Sequence, residues 1–65
     1  MYQDYPKRIR ELREQKHISQ EELAADCSMC VRTYRAIEHG TSDAKVSQLY
    51  AIAKCLGTTL PDLLR

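Results

Sequence analysis

The chain has 65 residues, 43% of them hydrophobic and 29% charged, which allows one small globular domain over residues 1–65 and excludes a disordered chain. Two Gly and two Pro are too few for the frequent turns of an antiparallel all-β fold, and without Phe or Trp the core must come from Leu, Ile, Val, Ala, Cys, Met and Tyr. The formal net charge of +1, taken alone, argues against a strongly basic nucleic-acid binder.

Helical punctuation runs through the whole chain. Tyr5-Pro6 opens a first helix, since Pro is tolerated in a first turn where its missing N–H had no partner. Lys7 to Lys16 are strong helix formers, with Ile9 and Leu12 as a narrow apolar stripe. Ser19-Gln20-Glu21-Glu22 is a capping box, and Ile18 and Leu23 are spaced as a hydrophobic staple, so a second helix starts here and runs to about Asp26 with Leu23, Ala24 and Cys27 inward. After a break at Ser28-Met29-Cys30, a third helix is expected from about Val31 to His39, with Val31, Tyr34 and Ile37 inward and Gly40 as its stop. A fourth, the most apolar, is expected over roughly Lys45 to Leu56. Its inward face takes Val46, Leu49, Tyr50, Ala53 and Leu56, widened by Ile52 and Cys55. Gly57 ends it, and Thr59-Leu60-Pro61-Asp62 caps a last short helix carrying Leu60, Leu63 and Leu64. The fold class expected is all-α, with five short helices and no strands.

Charge is unevenly distributed along these elements. Lys7, Arg8, Arg10, Arg13 and Lys16 make the first segment positive, whereas the second helix carries only Glu21, Glu22 and Asp26. Arg32 and Arg35, three apart, project from one face of the third helix, away from its apolar stripe. Two helices joined by a turn of a few residues form a helix-turn-helix, whose second helix fits a DNA major groove, and residues 20–39 match that template.

At this point a specific resemblance appears. Ile9-Arg10-Glu11-Leu12-Arg13, Ser19-Gln20-Glu21-Glu22-Leu23-Ala24, Ile37-Glu38-His39-Gly40 and Ala53-Lys54-Cys55-Leu56-Gly57, in that order and spacing, resemble the xenobiotic-response-element class of bacterial and phage regulators, which includes Cro and lambda repressor. The resemblance runs from about Pro6 to Leu64. It implies a lambda-repressor-like DNA-binding domain and a sequence-specific transcriptional regulator, expected to be a repressor acting on a near-palindromic operator of double-stranded DNA as a homodimer. Gln20 resembles the family's Gln at the start of the second helix, which touches a phosphate or buttresses a base-reading side chain. Val31, Arg32, Thr33, Arg35 and Ala36 fall on the groove-facing part of the third helix. Of these, Arg32 is the first choice for bidentate readout of guanine, Arg35 for a base or a phosphate, Val31 for a thymine methyl and Thr33 for a phosphate. Thr41, Ser42 and Lys45 resemble family positions near the DNA backbone. Arg13 and Glu38 match a pair that ties the first helix to the third. Leu60, Leu63 and Leu64 are expected to divide between core closure, for two of the three, and a dimer contact.

The chain departs from the family at four positions. Ser28 stands where Gly is usual and a left-handed backbone is common; Cys30 replaces the usual Ser or Thr cap; Tyr34 is bulkier than the usual aliphatic core residue; and Val31 stands where polar readers are common.

Other constellations carry less. Three Cys cannot complete an internal disulfide framework, and Cys27 and Cys30 form a CxxC with no spacing that brings Cys55, His17 or His39 in as further metal ligands; Cys27 reads as core, and no metal or cofactor is expected. His39 suits the C-terminus of the third helix, and His17 reads as a solvated turn residue. No nucleophile–base pair, carboxylate dyad or Gly-rich phosphate loop is visible, so no enzyme is expected. With no stretch near the ~18 apolar residues of a membrane span and no signal-peptide order, the expected location is the cytoplasm, at the nucleoid. A chain this short also leaves no room for a small-molecule effector domain. Two alternatives stay open: an antitoxin-type module that binds a partner protein, with DNA secondary, and a small excision or phage-control factor that bends DNA.

Overall fold

The computed structural model describes residues 5–64, and the described residues are helical without any strand. The elements are α1 (Tyr5–Gln15), α2 (Gln20–Asp26), α3 (Val31–His39), α4 (Val46–Cys55) and α5 (Leu60–Leu63). Each lies within about two residues of its expected bounds. The helices pack as α1 on α3, α2 on α3, α2 on α4, and α5 against both α1 and α4. Ile9, Leu23, Tyr34, Ile37, Ile52, Leu56 and Leu63 are buried at the centre. Burial of their apolar surface is the main force holding so short a chain together.

Start signals work largely as sequence chemistry dictates. Ser19 Oγ accepts the Glu22 N–H at 3.0 Å while Glu22 Oε1 accepts the Ser19 N–H at 3.0 Å, which closes the capping box of α2. Thr59 Oγ1 accepts the Asp62 N–H at 3.4 Å at the start of α5. Cys30, the N-cap of α3, makes no capping hydrogen bond to the backbone.

The helix ends share one device. After α1, α2, α3 and α4 the chain passes through a left-handed residue: His17 (φ 57°), Ser28 (φ 57°), Gly40 (φ 77°) and Gly57 (φ 71°). The following N–H then reaches five residues back: Ile18 to Arg13 O, Met29 to Ala24 O, Thr41 to Ala36 O and Thr58 to Ala53 O, all at 2.9–3.2 Å. This is the Schellman closure, which satisfies carbonyls otherwise orphaned at a helix end. Glycine supplies it freely at two ends. His17 and Ser28 carry a Cβ into the left-handed region at the other two, so the turn between α2 and α3 has the backbone that glycine usually serves.

Two expectations need correction. Val46 and Tyr50, expected on the inward face of α4, are 71% and 63% exposed. The buried residues of α4 are Leu49, Ile52 and Ala53, with Leu56 at its end. At about 100° per residue that set centres between Leu49 and Ile52, leaving Tyr50 a quarter-turn or more away and Val46 beyond the rim of the core. In α5, Leu63 alone is fully buried, so it is core and cannot meet a second molecule; Leu60 and Leu64 are half-buried against the core.

Candidate nucleic-acid interface

The helix-turn-helix presents α3 with an inner and an outer stripe. Tyr34, Ile37 and Glu38 face inward and are buried. Arg32, Arg35 and His39 are exposed on the opposite side, with Ala36 half-buried among them at helical spacing. Val31 and Thr33 are half-buried at the start of α3, where Cys30 Sγ lies 3.2 Å from Thr33 Oγ1. That contact and the open N–H groups of the α3 N-terminus hold the exposed Cys30 thiol below its ordinary pKa. Thr41, Ser42 and Lys45 are exposed beyond α3, with Thr41 Oγ1 donating to Ala36 O at 3.3 Å. Lys45 precedes α4, its backbone N–H donating to Gln48 Oε1 at 2.9 Å.

A buried carboxylate sets the pose of α3. Glu38 is 6% exposed and accepts from three other residues. Arg13 Nε donates to Oε2 at 2.9 Å and Nη2 to Oε1 at 3.2 Å, while Gln20 Nε2 donates to Oε1 at 2.9 Å and the Tyr34 hydroxyl donates to Oε2. Arg13 Nη1 also donates to Ile18 O at 2.8 Å, tying the end of α1 to the segment that feeds α2. Arg13 and Glu38 therefore meet as a bidentate pair, and α1, α2 and α3 converge on one carboxylate. Burial alone would raise the Glu38 pKa, but the hydrogen bonds from Arg13, Tyr34 and Gln20 outweigh it and hold the group below the ordinary carboxylate value. The same bond raises Arg13, and burial together with Glu38 raises Tyr34. The bulk of Tyr34 thus fills the core while its hydroxyl serves the carboxylate. Tyr34 and Glu38 are one helical turn apart, so this contact was open to sequence reasoning.

Arg32 and Arg35 differ sharply in their surroundings. Arg35 Nε donates to Gln20 Oε1 at 3.1 Å and Nη2 to Glu21 Oε2 at 3.0 Å, which folds its guanidinium back onto α2. Among the described residues the Arg32 guanidinium, exposed on α3, has no hydrogen-bond or ion-pair partner. Gln20 links both systems, donating to Glu38 and accepting from Arg35. Sequence reasoning missed Glu21 as the partner of Arg35, because the pairing depends on how α2 and α3 cross.

Among the described residues no cluster of His, Cys, Asp or Glu can hold a metal ion, and no helix is long and apolar enough to cross a membrane. Shallow grooves of about 380 and 370 Å³ flank α4, bordered by Tyr50 and Leu60 on one side and by Val46 and Leu64 on the other.

A four-helix frame with a fifth helical turn, and a pair of helices crossing over a turn whose outer helix carries exposed cationic side chains, define a helix-turn-helix DNA-binding domain of the Cro and lambda-repressor type. The chain belongs to the helix-turn-helix family, which it matches over residues 9–63. Transcription regulation through DNA is the activity of this class. None of the curated proteins matches the chain. Among solved structures it is similar to the clp gene regulator ClgR from Corynebacterium glutamicum, with a TM-score of 0.91 at 21% identity over 97% of this chain and 67% of that one. It is also similar to ComR from Streptococcus suis (TM-score 0.85, 30% identity, 97% of this chain and 21% of that one). A third likeness is to part of the hydroxypropylphosphonic acid epoxidase from S. wedmorenis (TM-score 0.84, 26% identity, 98% of this chain and 34% of that one). The chain thus spans two thirds of one neighbour and about a third or less of the other two.

Proposed function

We propose that the protein is a sequence-specific transcriptional repressor that inserts α3 into the major groove of a near-palindromic operator, as a homodimer on half-sites about one helical turn apart. The observation that carries this reading is the contrast across α3: its inner face is locked by Glu38, while Arg32 on its outer face is exposed and unpaired. A guanidinium held on a fixed helix and free of internal partners suits bidentate contact with guanine O6 and N7. In this reading Val31 touches a thymine methyl and Ala36 lets the helix approach closely. Thr33, Thr41, Ser42 and Lys45 contact the phosphate backbone, Gln20 touches a phosphate or buttresses Arg35, and Arg35 reaches a phosphate or a base by exchanging its exposed partner Glu21 for DNA. The protein acts by occupancy, without catalysis, cofactor or small-molecule effector, in the cytoplasm at the nucleoid.

Selection of bound sites from a random DNA pool tests this. A recovered palindromic motif supports the reading; a pool without enrichment, bound equally at low and high salt, overturns it, because phosphate contacts make DNA binding steeply salt-dependent.

The exposed Val46 and Tyr50 favour a second reading, an antitoxin-type module with a partner protein on the α4 side. Co-purification with one small, stoichiometric protein and no enriched DNA motif distinguishes it.

A further inference from the structure

The thiols do not pair as their sequence spacing suggests. Cys27 shares a CxxC string with Cys30, yet Cys27 Sγ lies 3.7 Å from Cys55 Sγ, a residue 28 positions away. Cys27 is the C-cap of α2 and Cys55 the last residue of α4. Both are half-buried and pack on the core, whereas Cys30 is exposed at the start of α3. All three are free thiols.

We propose that Cys27 and Cys55 form a dithiol oxidation site, which a low-molecular-weight disulfide such as oxidised glutathione converts reversibly into an intramolecular disulfide linking the end of α2 to the end of α4. A disulfide needs its sulfurs about 2.05 Å apart, so the pair must close by roughly 1.7 Å, a movement that rotating two side chains at helix ends can cover. One thiolate attacks a sulfur of the reagent, forming a mixed disulfide and releasing one reduced thiol. The second thiolate attacks the protein sulfur of that mixed disulfide, forming the Cys27–Cys55 bond and releasing the other thiol. The two cysteines lose two electrons and two protons in total, and the reagent takes both pairs. Burial and the neighbouring Cys55 push the Cys27 thiol up to about 12, so closure is slow at neutral pH and quickens in alkaline buffer. The link crosses the helix-turn-helix turn and encloses α3 and nearly all of α4. It therefore restricts the unfolded chain far more than a Cys27–Cys30 bond would.

The test uses the full chain carrying Cys30→Ser, which removes the exposed thiol and leaves the pair intact. Incubation with oxidised glutathione is expected to remove both titratable thiols, lower the mass by two hydrogens, give one Cys27–Cys55 cross-linked peptide, and raise Tm by about 10 °C or more. A reductant reverses all four changes. Adding Cys55→Ser abolishes the cross-link while its single thiol still takes up glutathione. Persistence of both free thiols in the folded Cys30→Ser protein, stable double glutathione adducts, or cross-linking only between molecules overturns the proposal. So does a Cys27–Cys30 bond as the main product in the unmutated chain.

Discussion

Glu38 shows what a charge must have to survive in a core of this size. Its oxygens accept four hydrogen bonds from Arg13, Gln20 and Tyr34, so the desolvation that would neutralise it is overcome. Its folded pKa lies below the unfolded value of about 4.3, so the stabilisation is fully present above that pH and is lost as pH falls through the folded pKa. Thermal melts of the unmutated protein should therefore drop below about pH 4. Glu38→Gln should start lower at neutral pH and lack that part of the acid-induced drop; identical profiles would separate Glu38 from acid stability. Glu38→Ala strands Arg13 and should cost about 3 kcal/mol, lowering Tm and DNA affinity together. Ser28 makes the opposite case, a single residue whose replacement should help. Its Cβ sits in the left-handed region at φ 57°, a strain of about 1–2 kcal/mol that Gly relieves, offset partly by the greater freedom of Gly in the unfolded chain. Ser28→Gly should gain about 0.5–1 kcal/mol and raise Tm by a few degrees, and His17→Gly should act alike. A fall in Tm for both would mean their side chains stabilise the turns in ways their geometry does not reveal.

At the scale of the element, α3 is positioned by what lies beneath it and equipped by what lies above. Arg32→Ala removes an outer side chain with no internal partner, so stability should hold within about 0.5 kcal/mol. Affinity for the selected operator should fall by about 1–3 kcal/mol, with preference relaxed at one base position. An equal loss on every sequence would assign Arg32 to phosphate instead. Helix starts and stops were readable along the chain because capping is local chemistry: Ser19 and Glu22 are three apart, and Gly40 and Gly57 sit where left-handed closures fall. The inward and outward stripes of α3 were readable for the same reason. Three features were hidden because they depend on packing between elements. The Arg35–Glu21 contact joins two helices whose crossing the sequence does not state, and the meeting of Cys27 with Cys55 needs α2 laid on α4. The exposure of Val46 and Tyr50 was concealed by an α4 sequence apolar on more sides than the core can cover.

At the scale of the whole molecule, the net charge of +1 averages an acidic α2 with positive flanks. One copy offers few cations to phosphate: Lys45, and Arg35 once released from Glu21. With each neutralised phosphate contributing about −0.9 to the slope of log affinity against log salt, a monomer should show a slope near −2 and a dimer one near −4. Dimerisation in this reading uses the α4–α5 side, where Val46 and Tyr50 are exposed beside the half-buried Leu60 and Leu64. Tyr50→Asp puts a charge into that patch at a position 63% exposed, so the fold should tolerate it and Tm of the dilute protein should change little. Burying an unpaired carboxylate against a second copy is unfavourable, so sedimentation should report a monomer at concentrations where the unmutated chain is dimeric. The salt slope should halve on a full operator, and the variant should bind a half-site and a full site with nearly equal affinity per site. A variant that stays dimeric would move the interface to another face. A monomeric unmutated chain that still prefers the full operator would mean that pairing happens only on DNA.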